Sequence, residues 1–158
     1  CGMRRVEIRR PGVRRINLKY LNEGEEKELI VLIRGEEQGE YQLDVVSDHK
    51  VGRTFGRVIV RGIAKNGARV KVSGLIKIAK QAQGVEDFLE MKLLVLDGKS
   101  SAVAEPKLEI MANEVKASHA ATVGRVDEEE MFYLLARGIC RKNAEKMIVE
   151  GFLEKSVG

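Results

Sequence analysis

The sequence predicts a mainly β domain closed at its carboxy-terminal end by a pair of helices, and three observations lead there. Between residues 16 and 96, apolar side chains fall in short runs, several alternating with polar residues at the period of a half-buried strand. Turn signals built on glycine separate the runs, at Asn22–Gly24, Glu37–Gly39, Lys65–Gly67 and Asp97–Gly98. At Asp127 the period changes to that of an amphipathic helix.

Residues 4–15 open the chain with arginine pairs every five residues around Pro11 and Gly12, the pattern of an edge strand or a loose arm with a turn. Ile16, Leu18 and Tyr20 then alternate with polar neighbours, and Leu29–Ile33 is a continuous apolar run. Alternation returns at Tyr41, Leu43 and Val45, at Phe55, Val58 and Val60, and at Val70 and Val72. Leu75–Ile78 and Leu93–Leu96 complete the β part. Aromatic residues make up 4% and tryptophan is missing, so the core is built from β-branched and other aliphatic side chains. Strands recurring every ~8–12 residues suit a sandwich, a barrel or a β-helix alike, and no strict short repeat chooses among them.

Asp127 is placed to cap the first helix, with Glu130 completing an acidic capping box. Glu128, Glu129 and Glu130 suit the positive end of the helix dipole. Met131, Leu134 and Leu135 give an apolar face with Phe132 beside it, and Gly138 supplies the left-handed residue that ends the helix. After a link of about two residues, Ala144, Met147, Ile148, Gly151 and Phe152 form a second stripe, capped by Cys140 or Asn143. The chain thus divides into a basic arm (1–15), a β core (16–125) and a helical segment (126–158).

Charge and cysteine count exclude several functions. Residues 1–15 hold Arg4, Arg5, Arg9, Arg10, Arg14 and Arg15 against Glu7, a charge of +5 within a total of +4, so the other 143 residues carry −1. Any affinity for nucleic acid or another polyanion therefore resides in those six arginines, and the neutral body makes nucleic acid an unexpected partner. With only Cys1 and Cys140, there is neither a disulfide framework nor a four-thiolate set for a metal or cluster. Met3 reads as the native start, with Cys1 and Gly2 foreign to it. No apolar run reaches ~18 residues and no apolar h-region follows the basic start, so the expected location is the cytoplasm, without membrane contact. Ser118 precedes His119, but neighbours in a strand point to opposite faces and no Gly-x-Ser-x-Gly elbow exists, so no hydrolase is expected. His49 reads as a turn residue. No Gly-Lys-Ser/Thr sequence is present for nucleotide phosphates.

The run Ser118–Ile139, SHAATVGRVDEEEMFYLLARGI, with Ala144–Phe152 behind it, resembles the carboxy-terminal part of the SufB/SufD family, scaffold subunits of the SUF machinery for iron–sulfur cluster assembly. His119, Ala121, Thr122, Gly124, Asp127, Glu128, Phe132, Tyr133, Leu134, Arg137, Gly138, Ile139, Gly151 and Phe152 meet the family pattern in fixed register, and Asp48–Gly56 and Val60–Ile78 continue it upstream. The resemblance covers roughly residues 40–155. It implies a short right-handed parallel β-helix capped by a C-terminal α-helical hairpin. This chain is much shorter than typical members. It also carries Ala117 where SufB-type members, and many SufD-type ones, have a cysteine two residues before the junction histidine, which argues against a SufB-like cluster-bearing role and for a SufD-like partner role.

The resemblance further implies a non-catalytic subunit that pairs with a SufB-like subunit, or with itself, through the last strands near 107–121. His119 would face a partner's cysteine across that interface, where a transient iron–sulfur cluster forms; this chain alone is expected to bind no cofactor or metal. The helices over 127–155 would receive the SufC-type ATPase, with Phe132, Tyr133 and Arg137 as its docking residues. From another class, the residues leave open a free-standing β-rich module binding polyanions through Arg4–Arg15.

Overall fold

The computed structural model describes residues 2–154, so Cys1 and residues 155–158 of the helical segment lie outside the described residues. Nine strands alternate strictly between two sheets. The odd strands β1 (Gly2–Ile8), β3 (Glu26–Gly35), β5 (Phe55–Ala64), β7 (Val85–Val95) and β9 (Val115–Arg125) form one sheet in that order. The even strands β2 (Gly12–Tyr20), β4 (Gly39–His49), β6 (Ala68–Ile78) and β8 (Ser101–Ile110) form the other. Every pairing is parallel, so the chain winds as a two-sided parallel β-helix of about four turns.

In parallel in-register strands, side chains of paired residues share a face and stack into rows. Leu29, Val58 and Leu89 form one inward row of the odd sheet, and Leu43 and Val72 one of the even sheet. All five belong to the main buried cluster between the sheets. Two glycines leave room for large neighbours in this narrow lumen, Gly74 for one from the facing sheet and Gly62 for one from the next strand of its own sheet. A Cβ at Gly74 would stand 2.5 Å from Leu89 Cδ2, and one at Gly62 would stand 2.8 Å from Leu93 Cδ2. Turn residues bond from one turn to the next: Gly24 N–H donates to Arg53 O, Arg53 N–H to Gln83 O and Gly84 N–H to Glu114 O. On the opposite side, Asn66 and Gly67 take φ of 59° and 86°, the left-handed pair that the Asn-Gly signal announces.

The helices cover the outer face of the odd sheet. α1 (Glu128–Ala136) starts at Asp127, whose Oδ1 accepts from Glu129 N–H at 2.9 Å, and ends before Gly138 at φ 83°. α2 (Arg141–Glu154) follows after four residues rather than about two, since Ile139 is used to reach the apolar cluster under the hairpin. That cluster joins Ile30, Leu32, Ile59, Ile63 and Leu94 to Met131, Ala144, Ile148, Val149 and Leu153. This explains the continuous run Leu29–Ile33: alternate residues fill the lumen and the rest lie under the helices. The buried stripe of α2 is therefore rotated from the one expected. Val149 and Leu153 face the sheet, while Met147 is 52% exposed.

Three carboxylates of α2 meet cations presented by successive odd strands and the turn after β5. Glu145 pairs with Lys65 at 3.3 Å, Glu150 takes a two-pronged contact from Arg34 at 2.8 and 3.1 Å, and Glu154 pairs with Arg5 at 3.0 Å. Arg34 also donates to Glu7 at 2.8 Å. The Arg34 hydrogen bonds hold the Glu150 carboxyl below the usual carboxylate range, outweighing a small opposing effect of burial. A lowered folded-state pKa gives stability that is present above the unfolded pKa and lost as pH falls through the carboxylate range. Glu150→Gln is accordingly expected to lower the urea midpoint at pH 7, and the difference from wild type should shrink toward zero as pH drops to about 3.

Candidate functional site

The alternation that fills the lumen with aliphatic residues is broken at one place by polar ones. Along β4 the inward row runs Tyr41, Leu43, Val45 and then Ser47 and His49. Along β7 it runs Val85, Asp87, Leu89, Met91 and Leu93. Asp87 Oδ2 accepts from Ser47 Oγ at 2.5 Å and lies 2.7 Å from His49 Nε2. His49 Nδ1 lies 2.7 Å from Thr54 Oγ1, and the imidazole stacks on Tyr20 with centroids 4.0 Å apart and an interplanar angle of 8°. The His49 and Asp87 side chains are both 0% exposed.

Burial raises the Tyr20 hydroxyl above its usual range. Gly56 is needed here as well: a Cβ would stand 2.5 Å from the Tyr20 hydroxyl and 2.9 Å from Asp87 Oδ1. This is no nucleophilic constellation. Ser47 gives its hydrogen to Asp87 rather than to His49, and solvent does not reach it.

His49 thus sits at the inward end of a strand, although the sequence reads it as a turn residue. Tyr20, Ser47, Thr54 and Asp87 were not singled out from sequence at all. The available signal was the period-two extension of two apolar rows into Ser47, His49 and Asp87.

His119 lies in β9, the last strand of the odd sheet, paired with Leu89. It therefore belongs to the inward row Leu29, Val58, Leu89, yet it is exposed, because no described strand stacks beyond β9. Ala117, in the same row set, pairs with Asp87, so the candidate histidine and the buried polar cluster occupy adjacent levels. Val115, Ala117 and Ala121 of β9, with Ala102, Ala104 and Ile110 of β8, are half-buried against the lumen. Beside them, β8 and β9 each keep one hydrogen-bonding edge unpaired among the described residues.

Phe132, Tyr133 and Arg137 lie together on and just after α1, an element separate from His119. Phe132 is 73% and Tyr133 54% exposed, and the Arg137 guanidinium stands 4.7 Å from the Tyr133 ring centroid. The arginines expected to form an arm lie in the first turn of the β-helix: Arg4 and Arg5 in β1, Arg9 and Arg10 at the turn, Arg14 and Arg15 in β2. Arg5 pairs with Glu154, Arg9 with Glu7 at 2.7 Å and Arg15 with Asp44 at 3.8 Å. One outward row of the even sheet alternates in sign from turn to turn, in the register Lys19, Asp48, Lys77, Glu109. Cys140 is exposed just ahead of α2, where its carbonyl accepts from Ala144 N–H at 2.9 Å. Among the described residues, no helix is long and apolar enough to cross a membrane, and no three His, Cys, Asp or Glu side chains converge as metal ligands.

Residues 12–152 match the family described as SUF system FeS cluster assembly, SufBD core domain. An iron–sulfur cluster assembly SufBD family protein of Staphylococcus aureus (strain USA300) is 35% identical over 106 residues, 67% of this chain and 23% of the relative. One of Staphylococcus haemolyticus (strain JCSC1435) matches at the same identity and coverage. The match thus spans about a quarter of the length of these relatives.

The geometry separates the two histidines energetically. Asp87→Ala removes the acceptor that Ser47 and His49 share in the buried lumen, expected to cost about 1–3 kcal/mol, whereas His119→Ala at an exposed position is expected to stay within about 0.5 kcal/mol of wild type. Urea denaturation of both variants measures the difference.

Proposed function

The chain belongs to the SufBD core-domain family of the SUF system for iron–sulfur cluster assembly, and from that membership we propose that it is a non-catalytic, SufD-like scaffold subunit acting in the cytoplasm. It pairs with a SufB-like subunit, or with a second copy of itself, through β8 and β9, and offers His119 at the shared interface. It receives the SufC-type ATPase on α1. An iron–sulfur cluster forms transiently between subunits and is cargo of the assembly, not a resident cofactor of this chain.

One observation supports the pairing most. The two unpaired edges of β8 and β9 flank half-buried apolar rows that stop without a covering turn. Strand edges of this kind recruit further chains by main-chain hydrogen bonding. An imidazole on the inward row there can ligate iron through a ring nitrogen. The docking role of α1 rests on the exposed Phe132–Tyr133 pair, aromatic anchors of the type that dominates interface energies.

Point variants suit the test better than removal of 127–158, because the hairpin covers Ile30, Leu32, Ile59 and Ile63 and its loss would expose them. In co-purification with the ATPase and SufB-like proteins of the source organism, wild type is expected to hold both. Phe132→Asp should release the ATPase alone, and Val123→Asp, at an apolar side chain of β9 left 48% exposed, the SufB-like subunit alone, each weakening its contact by roughly 2 kcal/mol or about 30-fold. No association of wild type with either protein contradicts the scaffold reading.

A further inference from the structure

We infer that the buried Ser47–His49–Asp87 cluster is a positioning device that fixes the register of β7, and through it the place of His119 at the open end of the β-helix. The functional meaning of that place rests on the scaffold reading above; the register lock itself does not.

β9 pairs with β7 alone, so the level and phase of its inward side chains are those of β7. Ala117 stands on Asp87 and His119 on Leu89. The inward residues of β7 are Val85, Asp87, Leu89, Met91 and Leu93, and four of the five are aliphatic or Met. A slip by two residues preserves inward and outward faces, because the strand period is two. It exchanges one apolar side chain for another at most levels, and packing volume discriminates weakly among such swaps. The slip carries His119 along the strand by about 6.6 Å, two residues at ~3.3 Å each.

Only Asp87 has directional partners in the lumen. Its Oδ2 meets Ser47 and His49 on β4, across from β7, and His49 is held in turn by Thr54 and the Tyr20 ring. The cluster thus ties the first, second and fourth turns to one another, and any slip strands a carboxylate in a dry interior. A polar group in a core commonly gives no more stability than a well-packed apolar replacement, so its contribution here is selection among registers. Gly56, which leaves room for the Tyr20 hydroxyl beside Asp87, belongs to the same device.

The test replaces the whole cluster with apolar groups. The triple variant Ser47→Ala/His49→Leu/Asp87→Leu is compared with wild type by imidazole carbon–proton NMR of His119, the remaining histidine in the variant. Val72→Ala, which removes bulk from the same lumen, is the control for lost stability. The expected result is a folded triple variant with a melting temperature within a few degrees of wild type and a His119 signal split into two or more. The control should melt lower and keep a single signal. A single His119 signal at the wild-type shift in the triple variant would overturn the proposal and reduce the cluster to filler. If the triple variant does not fold, Asp87→Asn, which keeps the side chain's shape, is read the same way. Split signals in a chain whose wild type binds no SufB-like subunit would uphold the register lock and remove the scaffold reading instead.

Discussion

Everything in this structure depends on parallel, in-register stacking of successive turns. Each inward side chain rests on the side chain of the turn beneath it, so a residue's surroundings are set by partners about thirty positions away. Gly2 pairs with Lys27, Glu26 with Phe55, Phe55 with Glu86 and Val85 with Val115, advances of 25, 29, 31 and 30 residues. The lumen is too narrow for uniform filling, so Gly74 admits Leu89 from the facing sheet and Gly62 admits Leu93 from the next strand. The same stacking leaves the final strands with apolar rows and open edges, and the outer face of the odd sheet with a second apolar layer for the helices to cover.

The hairpin is held by two different forces. Burial of Met131, Ala144, Ile148, Val149 and Leu153 supplies non-directional attraction. The carboxylates Glu145, Glu150 and Glu154, meeting Lys65, Arg34 and Arg5, fix where along the sheet α2 lies. Surface ion pairs add little energy singly, and their effect here is orientation. α1 has only Met131 fully buried, which leaves Phe132 and Tyr133 free on its far side.

The strands and helices were legible because their periods are local. Tyr41, Leu43 and Val45 announce β4, and Asp127 and Gly138 bound α1 as their side-chain chemistry requires. The winding was not legible from pattern: advances varying from 25 to 32 residues, the largest from Arg69 to Ser101, erase any strict repeat. The β-helix followed from the resemblance covering roughly residues 40–155, and the parallel strand pairing bears it out. His119 could be named from motif, but its membership in the inward row required the register of β7 with β9. The Ser47–His49–Asp87 cluster stayed hidden because Asp87 lies 40 residues from Ser47 and 38 from His49 and meets them only across the lumen. Asp48 and His49 drew notice as neighbours in sequence, yet the productive partner of His49 is Asp87.

The claim most central to this account is that the open β8–β9 end is the assembly surface. Amide hydrogen exchange of the chain, alone and with a SufB-like subunit, the proposed partner, measures it directly. Edge amides of β9 that face no neighbouring strand should exchange freely in the isolated chain and slow by at least tenfold in the complex, while those of β1 and β2 keep their rates. Unchanged fast exchange in β9 within a formed complex, or slowing confined to β1 and β2, would contradict it.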